Sequence, residues 1–173
     1  MAMLEIRKAQ VEDAPYIALL GRITFTETFG HLYRYKEDLM DYFDRTFSVE
    51  KMAKGLQKSE NVFWIAFVDQ LPVGYAKLKL HSKSAFLDSE NVCQLQKIYV
   101  LKDFLSNKVG LQLQHELLTE AHRSQFEHIW LSVLHSNERA INFYAKNGFR
   151  EIGKHDFQIG RENFHFLAMA KDL

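Results

Sequence analysis

A polar loop followed by an amphipathic helix, in the middle of the chain, has the composition of an anion-binding site. The loop runs from Asp103 to Lys108, and from Gly110 onward apolar residues recur every three to four positions, as in a helix. The first N–H groups of a helix lack intrahelical partners, and the helix dipole adds partial positive charge there. The pattern predicts an anion site, above all for a phosphate, although Gly110 could equally be a glycine that only begins the helix.

A second helix, nearer the C-terminus, carries a tyrosine that could do chemistry. The run from Asn137 to Lys146 has helical spacing, and Ala140 and Tyr144 share a face because they are four residues apart. Asn137 stands at the position of an N-cap, and it could also contact a ligand. A tyrosine on such a helix is either a core residue or a functional one, and the helix pattern alone leaves both interpretations open.

Motifs of several other chemistries are incomplete or absent. His115 and Glu116 begin like the metalloprotease motif HExxH, but Thr119 occupies the position of its second histidine. The eight histidines show no spacing typical of metal ligands, so we predict no metal site. Cys93 is the single cysteine, and no histidine neighbours it in the sequence, which argues against a cysteine nucleophile.

Length and charge narrow the classes of function. The chain has 173 residues, of which 47% are hydrophobic, and we predict one domain over residues 1–173. The 22 basic residues balance the 22 acidic ones, so a nucleic-acid partner is not expected. No run approaches the ~18 apolar residues of a membrane span, and the N-terminus lacks the pattern of a signal peptide. Together with the single cysteine, these features predict a cytoplasmic protein without a membrane partner.

The elements that would position the loop and the tyrosine begin with one strand and three helices. Leu4 to Lys8 alternates apolar and charged residues, as a strand does. The predicted helices run from Glu12 to about Phe29, from Lys36 to Phe47, and from Val49 to Lys58, the last capped by Ser48. Their apolar faces are predicted to contain Ile17, Leu20, Ile23 and Thr24 in the first helix and Leu39, Met40 and Phe43 in the second.

The remaining two thirds of the chain alternate strands with the two helices described above. A polar loop is predicted over 81–91. The strand that precedes the anion loop, Gln94–Val100, and the strand that follows the next helix, His128–Leu134, should be parallel neighbours. The sequence therefore predicts an α/β fold with a mixed sheet of about seven strands and helices on both faces. The predicted strands are Val62–Val68, Val73–Leu80, Gln94–Val100, His128–Leu134, Arg150–Gln158 and Asn163–Ala170.

Three stretches together resemble the GNAT superfamily of N-acetyltransferases. They are the strand ending in IYVLKDF, the loop around Gly110, and the later run SNERAINFYAKNGF. More narrowly, the spacing of TFTETF, VGYAKLKL and QKIYV is similar to that of bacterial spermidine/spermine N-acetyltransferases. The resemblance spans most of the chain, and it implies a GNAT-like fold whose central parallel strands splay apart.

The resemblance also implies a coenzyme and a set of site residues. Acetyl-CoA would lie between the two splayed strands, and Tyr144 would protonate the departing thiolate as the general acid. The acceptor would be the primary amine of a small molecule, with a polyamine as the leading specific candidate. The coenzyme would contact Ile98, Tyr99, Val100, Leu105, Ser106, Asn107, Lys108, Val109, Gly110, Leu111, Asn137 and Tyr144, and the acceptor would contact Glu27, Tyr33 and Gln96.

The phosphate loop departs from the superfamily pattern. In that pattern an Arg or Gln is followed by a Gly and then by a Gly or Ala, where this chain has Leu105, Lys108 and Gly110. Leu105 lacks a polar group for the phosphate. Lys108 is costly if the position requires a positive φ, but it adds a cation that could compensate.

The general base also differs from the one that many relatives use. Where they carry a glutamate on the central strand, this chain has Gln94 and Gln96, and an amide cannot accept a proton from an ammonium group. Glu27, His81 and His135 are alternative candidates.

We predict an acetyltransferase in which the neutral amine attacks the thioester directly, without a covalent enzyme intermediate. The alternative is a CoA-binding or regulatory module that no longer catalyses, and the changes in the loop and at the base position motivate it. Many similar proteins are dimers, so a homodimer is left open.

Overall fold

The structure, a computed structural model, describes all residues from Met1 to Leu173 and contains seven strands and five α-helices. A 3₁₀ helix, Lys102–Asn107, occupies the position of the predicted polar loop before α4. The strands are β1 Leu4–Lys8, β2 Asn61–Val68, β3 Leu71–Lys79, β4 Val92–Val100, β5 His128–Leu134, β6 Arg150–Ile159 and β7 Glu162–Asp172, and the helices are α1 Ala14–Phe29, α2 Lys36–Thr46, α3 Val49–Gln57, α4 Val109–Arg123 and α5 Glu138–Lys146.

The strands form one mixed sheet in the order β1-β2-β3-β4-β5-β7-β6, which confirms the predicted fold class. All neighbouring pairs are antiparallel except β4 and β5, which are parallel because the crossover through α4 returns the chain in the same direction. This parallel pair is short: Val92–Gln94 pairs with His128–Trp130 and no further. Beyond these residues β4 stays bonded to β3 and β5 to β7, so the sheet opens between them.

A β-bulge interrupts β4 beside this opening. Lys97 lies opposite Lys77 of β3, and Leu95 lies opposite Leu78, so Gln96 is the extra residue between them. A bulge changes the direction in which side chains point and increases the local twist of the strand. The bulge in β4 thus falls close to the point where β4 leaves β5.

The two faces of the sheet carry different cores. On one face α4 packs aliphatic side chains such as Val109, Leu113 and Leu117 against the central strands. On the other face α1, α2 and α3 supply an aromatic core that includes Phe25, Phe29, Phe43 and Phe47. Since helices cover both faces, the central strands are apolar on both sides.

Most predicted element bounds agree with the structure to within two residues, but two side chains were placed wrongly. Ile23 is 39% exposed and Met40 is 42% exposed, although both were predicted to lie on buried faces. In α1 the buried face passes through Ile17, Leu20 and Thr24, and Ile23 lies beside it rather than on it. None of the helices combines the length and the apolar character needed to span a membrane.

Candidate active site

The opening between β4 and β5 forms a cavity of about 990 Å³. Its floor is the free edge of β4, its far wall is β5 with α5, and α1 closes one side. Beyond Gln94 the edge of β4 that faces β5 has no strand partner, so an extended ligand could pair with its backbone groups. The geometry therefore suits a long, amide-containing molecule.

The cavity brings together most of the residues predicted for the site. Tyr33, Asn107 and Val109 lie outside its lining: Tyr33 packs against Phe164, Val109 is fully buried in the core under α4, and Asn107 is exposed. The predicted residues that line the cavity are Glu27, Gln96, Ile98, Tyr99, Val100, Leu105, Ser106, Lys108, Gly110, Leu111, Asn137 and Tyr144.

The N-terminus of α4 faces the cavity, and its backbone is accessible to a ligand. Lys108, the N-cap, has φ 59° and ψ 18°, the left-handed conformation that costs an L-residue about 1–2 kcal/mol and that glycine adopts freely. A Cβ at Gly110 would meet only methyl groups of Val100 and Ile98, at 3.9 and 4.0 Å. Packing within the protein therefore does not require glycine there, and the N–H groups of the first turn are free for an anion.

The charges on the cavity wall are mostly positive. Lys102, Lys108, Arg139 and Lys146 all line it, whereas Glu27 is its one acidic residue. Both carboxylate oxygens of Glu27 accept the backbone N–H of Lys102, each at 3.2 Å. Glu27 thus braces α1 against the 3₁₀ helix, and the remaining charges of the wall suit a polyanion.

Tyr144 lies on α5 with its ring against Phe143 and Phe149, at centroid distances of 5.3 and 5.6 Å. The side chain is 8% exposed and lines the cavity. Burial raises the pKa of its phenol, so Tyr144 keeps its proton at neutral pH. Asn137 caps α5 by accepting the backbone N–H of Ala140 at 3.2 Å, and it lines the cavity as well.

Two polar side chains of the β4 bulge lack partners. The Gln96 side-chain oxygen is buried without a hydrogen bond, on the cavity wall. Lys97 forms no ion pair, and its ammonium lies 4.3 Å from the centroid of the Phe47 ring. Burial, and secondarily the neighbouring Lys77, lowers the pKa of Lys97 to about 7. An unsatisfied oxygen and a poorly solvated amine are costly in a core, which is typical of functional sites.

The histidines proposed as bases lie away from this cavity. His81 packs edge-on against Phe126, with ring centroids 5.0 Å apart, and does not line it. His135 is exposed and lines a second cavity of about 480 Å³ on the far side of Phe166. The sequence did not single out Ser132, which lines the first cavity, because an isolated serine in a strand carries no signal.

Comparison with known proteins places this geometry in a family. A profile described as Acetyltransferase (GNAT) family matches residues 31–149. The chain is 29% identical to an uncharacterized N-acetyltransferase of Lactobacillus delbrueckii subsp. lactis, covering 100% of this chain and 99% of that protein. It is 26% identical to an N-alpha-acetyltransferase of Sulfurisphaera tokodaii, covering 94% and 91%. The solved PaiA N-acetyltransferase of Thermoplasma acidophilum, in complex with coenzyme A, has the same fold, with a TM-score of 0.79 at 23% identity over 99% of both chains.

Proposed function

The chain belongs to the acetyltransferase (GNAT) family and is an acetyl-CoA-dependent N-acetyltransferase, and we propose that it acetylates a primary amine of a small molecule with Tyr144 as the general acid. The observation that carries this proposal is the cavity between the splayed strands β4 and β5, which the Tyr144 ring lines. Acetyl-CoA supplies the acetyl group as a thioester, and an uncharged amine can attack the carbonyl carbon of that thioester.

Backbone groups and basic side chains hold the coenzyme in this proposal. The free edge of β4 over Ile98–Val100 pairs with the pantetheine arm as an added strand would. The N–H groups at the start of α4, next to Lys108 and Gly110, bind the pyrophosphate. Lys102 and Arg139 add positive charge near the phosphates.

The reaction needs two proton movements that the chain must manage. Tyr144 donates its phenolic proton to the leaving sulfur, and a raised pKa keeps that proton in place until the thiolate forms. The acceptor enters as an ammonium ion and has to lose a proton before it attacks. The buried oxygen of Gln96 can accept a hydrogen bond from the amine, but it cannot take the proton.

The charges around the acceptor side bear on the polyamine candidate. An acidic stripe on α2 could attract a polycation, but Arg161 pairs with Glu37 and Asp38 of that stripe at 3.0 and 2.9 Å, and Arg22 pairs with Asp44 at 3.3 Å. These pairs neutralise much of the stripe. The acceptor assay should therefore compare a polyamine with other amines. It should also include a peptide with a free amino terminus, because the Sulfurisphaera relative is named an N-alpha-acetyltransferase.

A release assay with an amine panel tests the proposal. Free thiol is measured from acetyl-CoA with spermidine, 2-phenylethylamine and an alanyl peptide, and coenzyme binding is measured separately by calorimetry. We expect coenzyme binding together with amine-dependent thiol release for a small-molecule amine. Binding without release for any amine would favour the alternative, a CoA-binding or regulatory module that does not catalyse. Release with the peptide alone would refute the small-molecule acceptor.

A further inference from the structure

A serine and a histidine form a polar bridge between the two cavities of the molecule. Ser132 of β5 lines the first cavity, and its Oγ lies 2.8 Å from Nε2 of His155 on β6. His155 lines the second cavity, and Phe166 lines both, so Phe166 forms the wall between them. The His155 ring stacks on Phe166 with centroids 5.5 Å apart and an interplanar angle of 13°. Stacking fixes the plane of the imidazole towards Ser132.

We propose that Ser132 and His155 form a proton relay that deprotonates the acceptor amine and releases the proton through the second cavity. The inference rests on the proposed function, because it supplies the base that this reaction requires. Ser132 is the group that touches the amine, and His155 acts through it. A hydroxyl within hydrogen-bond reach of an imidazole is the arrangement by which proteins commonly move protons from a weakly acidic group.

The proton movements of the relay balance. The acceptor ammonium passes one proton to Ser132 Oγ while Ser132 passes its hydroxyl proton to His155 Nε2. The imidazolium then loses its Nδ1 proton to water in the second cavity, which leaves hydrogen on Nε2. Proton exchange with water, on at Nδ1 and off at Nε2, restores the tautomer with hydrogen on Nδ1 before the next turnover. After attack, the second proton of the nitrogen restores the phenol of Tyr144, whose own proton went to the sulfur. One proton therefore leaves through His155 in each turnover.

The groups that face His155 can help a proton to leave. Asp156 and Lys154 flank it on β6, and Glu151 lies four residues earlier on the same strand. These three residues line the second cavity together with His165 and His135. His165 Nδ1 lies 2.6 Å from an Asp156 carboxylate oxygen, and this hydrogen bond, mainly, lowers the pKa of Asp156. Asp156 thus stays ionised beside the imidazole, and the second cavity contains further polar groups that can carry the proton to solvent.

The first test is the pH profile of kcat/KM for His155→Gln. Glutamine can still hydrogen-bond Ser132 but cannot take a proton, so a purely structural role would be preserved. With each small-molecule amine of the panel that supports thiol release, we expect kcat/KM at pH 7 to fall at least about tenfold. The loss should shrink to within about threefold near pH 10, where a primary alkyl amine begins to lose its own proton. Ser132→Ala should behave alike, and Ser132→Thr, which keeps the hydroxyl, should restore much of the activity.

Matched variants separate the relay from other bases. His115→Gln, on the exposed face of α4, should leave the profile unchanged. Glu27→Gln, His31→Gln and Lys97→Met change the other side chains on the cavity wall that could act as the base. If His155→Gln keeps the wild-type profile, or if one of these three variants alone removes the fall of kcat/KM at low pH, the relay is wrong.

A second readout needs neither coenzyme nor amine. Two-bond ¹H–¹⁵N spectra of the free protein report the tautomer of each histidine. We expect hydrogen on Nδ1 of His155, with a change in tautomer population or titration midpoint in Ser132→Ala. Hydrogen held on Nε2 would overturn the relay. Because this measurement is independent of turnover, a protein inactive on every amine would fail the proposed function while the relay geometry was still tested.

Discussion

The proposed function assigns one half of the cleft to the coenzyme and the other half to the acceptor, and the two halves are built from different parts of the chain. The coenzyme half consists of a strand edge, the first turn of α4 and a rim of basic side chains, all from one stretch of sequence and the helix after β5. The acceptor half consists of single side chains from α1, the β4 bulge, β5 and β7, such as Glu27, Gln96, Ser132 and Phe166. Backbone recognition tolerates changes of side chain, whereas recognition by converging side chains does not.

This difference explains how a degenerate loop can coexist with an intact cavity. Leu105 and Lys108 depart from the superfamily pattern, but the N–H groups that would bind a phosphate belong to the backbone, and Lys108 adopts the left-handed conformation in spite of its side chain. The acceptor half instead holds the unsatisfied and poorly solvated groups of Gln96 and Lys97. Variants of the two halves should therefore affect different measurements.

The largest effect is expected where the two halves meet, at Tyr144. Tyr144→Phe should lower kcat at least about tenfold, because no other phenol on α5 can protonate the thiolate, and coenzyme affinity should stay within about twofold. Thiol release at saturating amine measures kcat, and calorimetry measures coenzyme affinity. Tyr16→Phe, a half-exposed tyrosine of α1, is the control. Unchanged turnover in Tyr144→Phe would remove it as the acid.

Lys97 of the acceptor half should make stability depend on pH. Its pKa is lowered to about 7 in the folded protein from the ordinary 10.5, so the unfolded chain binds more protons between these values. The free energy of unfolding should therefore rise with pH from about 7 to 9, and should fall as pH drops towards 7. Chemical denaturation of wild type and Lys97→Met across this range measures the slope.

The Lys97→Met slope should be flatter but not zero, because burial also lowers the pKa of Lys77 to about 8. Lys79→Met is the control. It removes the same charge from β3, at a lysine that forms neither an ion pair nor a contact with an aromatic ring. Identical slopes in wild type and Lys97→Met would show that the ammonium is well solvated and would weaken the contrast between the halves.

A smaller effect is expected at the basic rim of the coenzyme half. Arg139→Gln should weaken coenzyme A binding about threefold at low salt, because an exposed charge pair contributes on the order of 0.2–1 kcal/mol. The deficit should shrink in high salt, where exposed charges are screened. Calorimetric titrations at two salt concentrations measure it. Arg123→Gln, at the far end of α4 and paired with Glu120, should have no effect on coenzyme binding.

The smallest effect on coenzyme binding is expected at the left-handed residue before α4. Lys108→Gly removes backbone strain but loses side-chain restriction in the unfolded chain, so we expect a net gain of about 0.5–1 kcal/mol in the free energy of unfolding. Coenzyme affinity should change less than threefold, because one cation is lost and the backbone N–H groups remain. A loss of stability would mean that the Lys108 side chain makes contacts that stabilise the fold.

Local patterns in the sequence were enough to predict the order of elements, including the strand, loop and helix that line one half of the cavity. Period-two and period-3.6 patterns located all seven strands and five helices, and the caps at Ser48 and Asn137 were read from residue type alone. The parallel placement of β4 and β5 followed from the length of the crossover. These features could be predicted because the forces that decide them act between neighbours in the chain.

The acceptor half was decided by the tertiary structure. Ser132 and His155 are 23 residues apart, on strands separated in the sheet by β7, and no spacing rule brings them together. The bulge at Gln96 and the burial of Lys97 against Phe47 likewise depend on how β3 and α1–α3 pack. The local sequence determined where backbone groups would be available to a coenzyme. Long-range packing alone determined which side chains meet opposite those groups, because their contacts join elements that are remote in sequence.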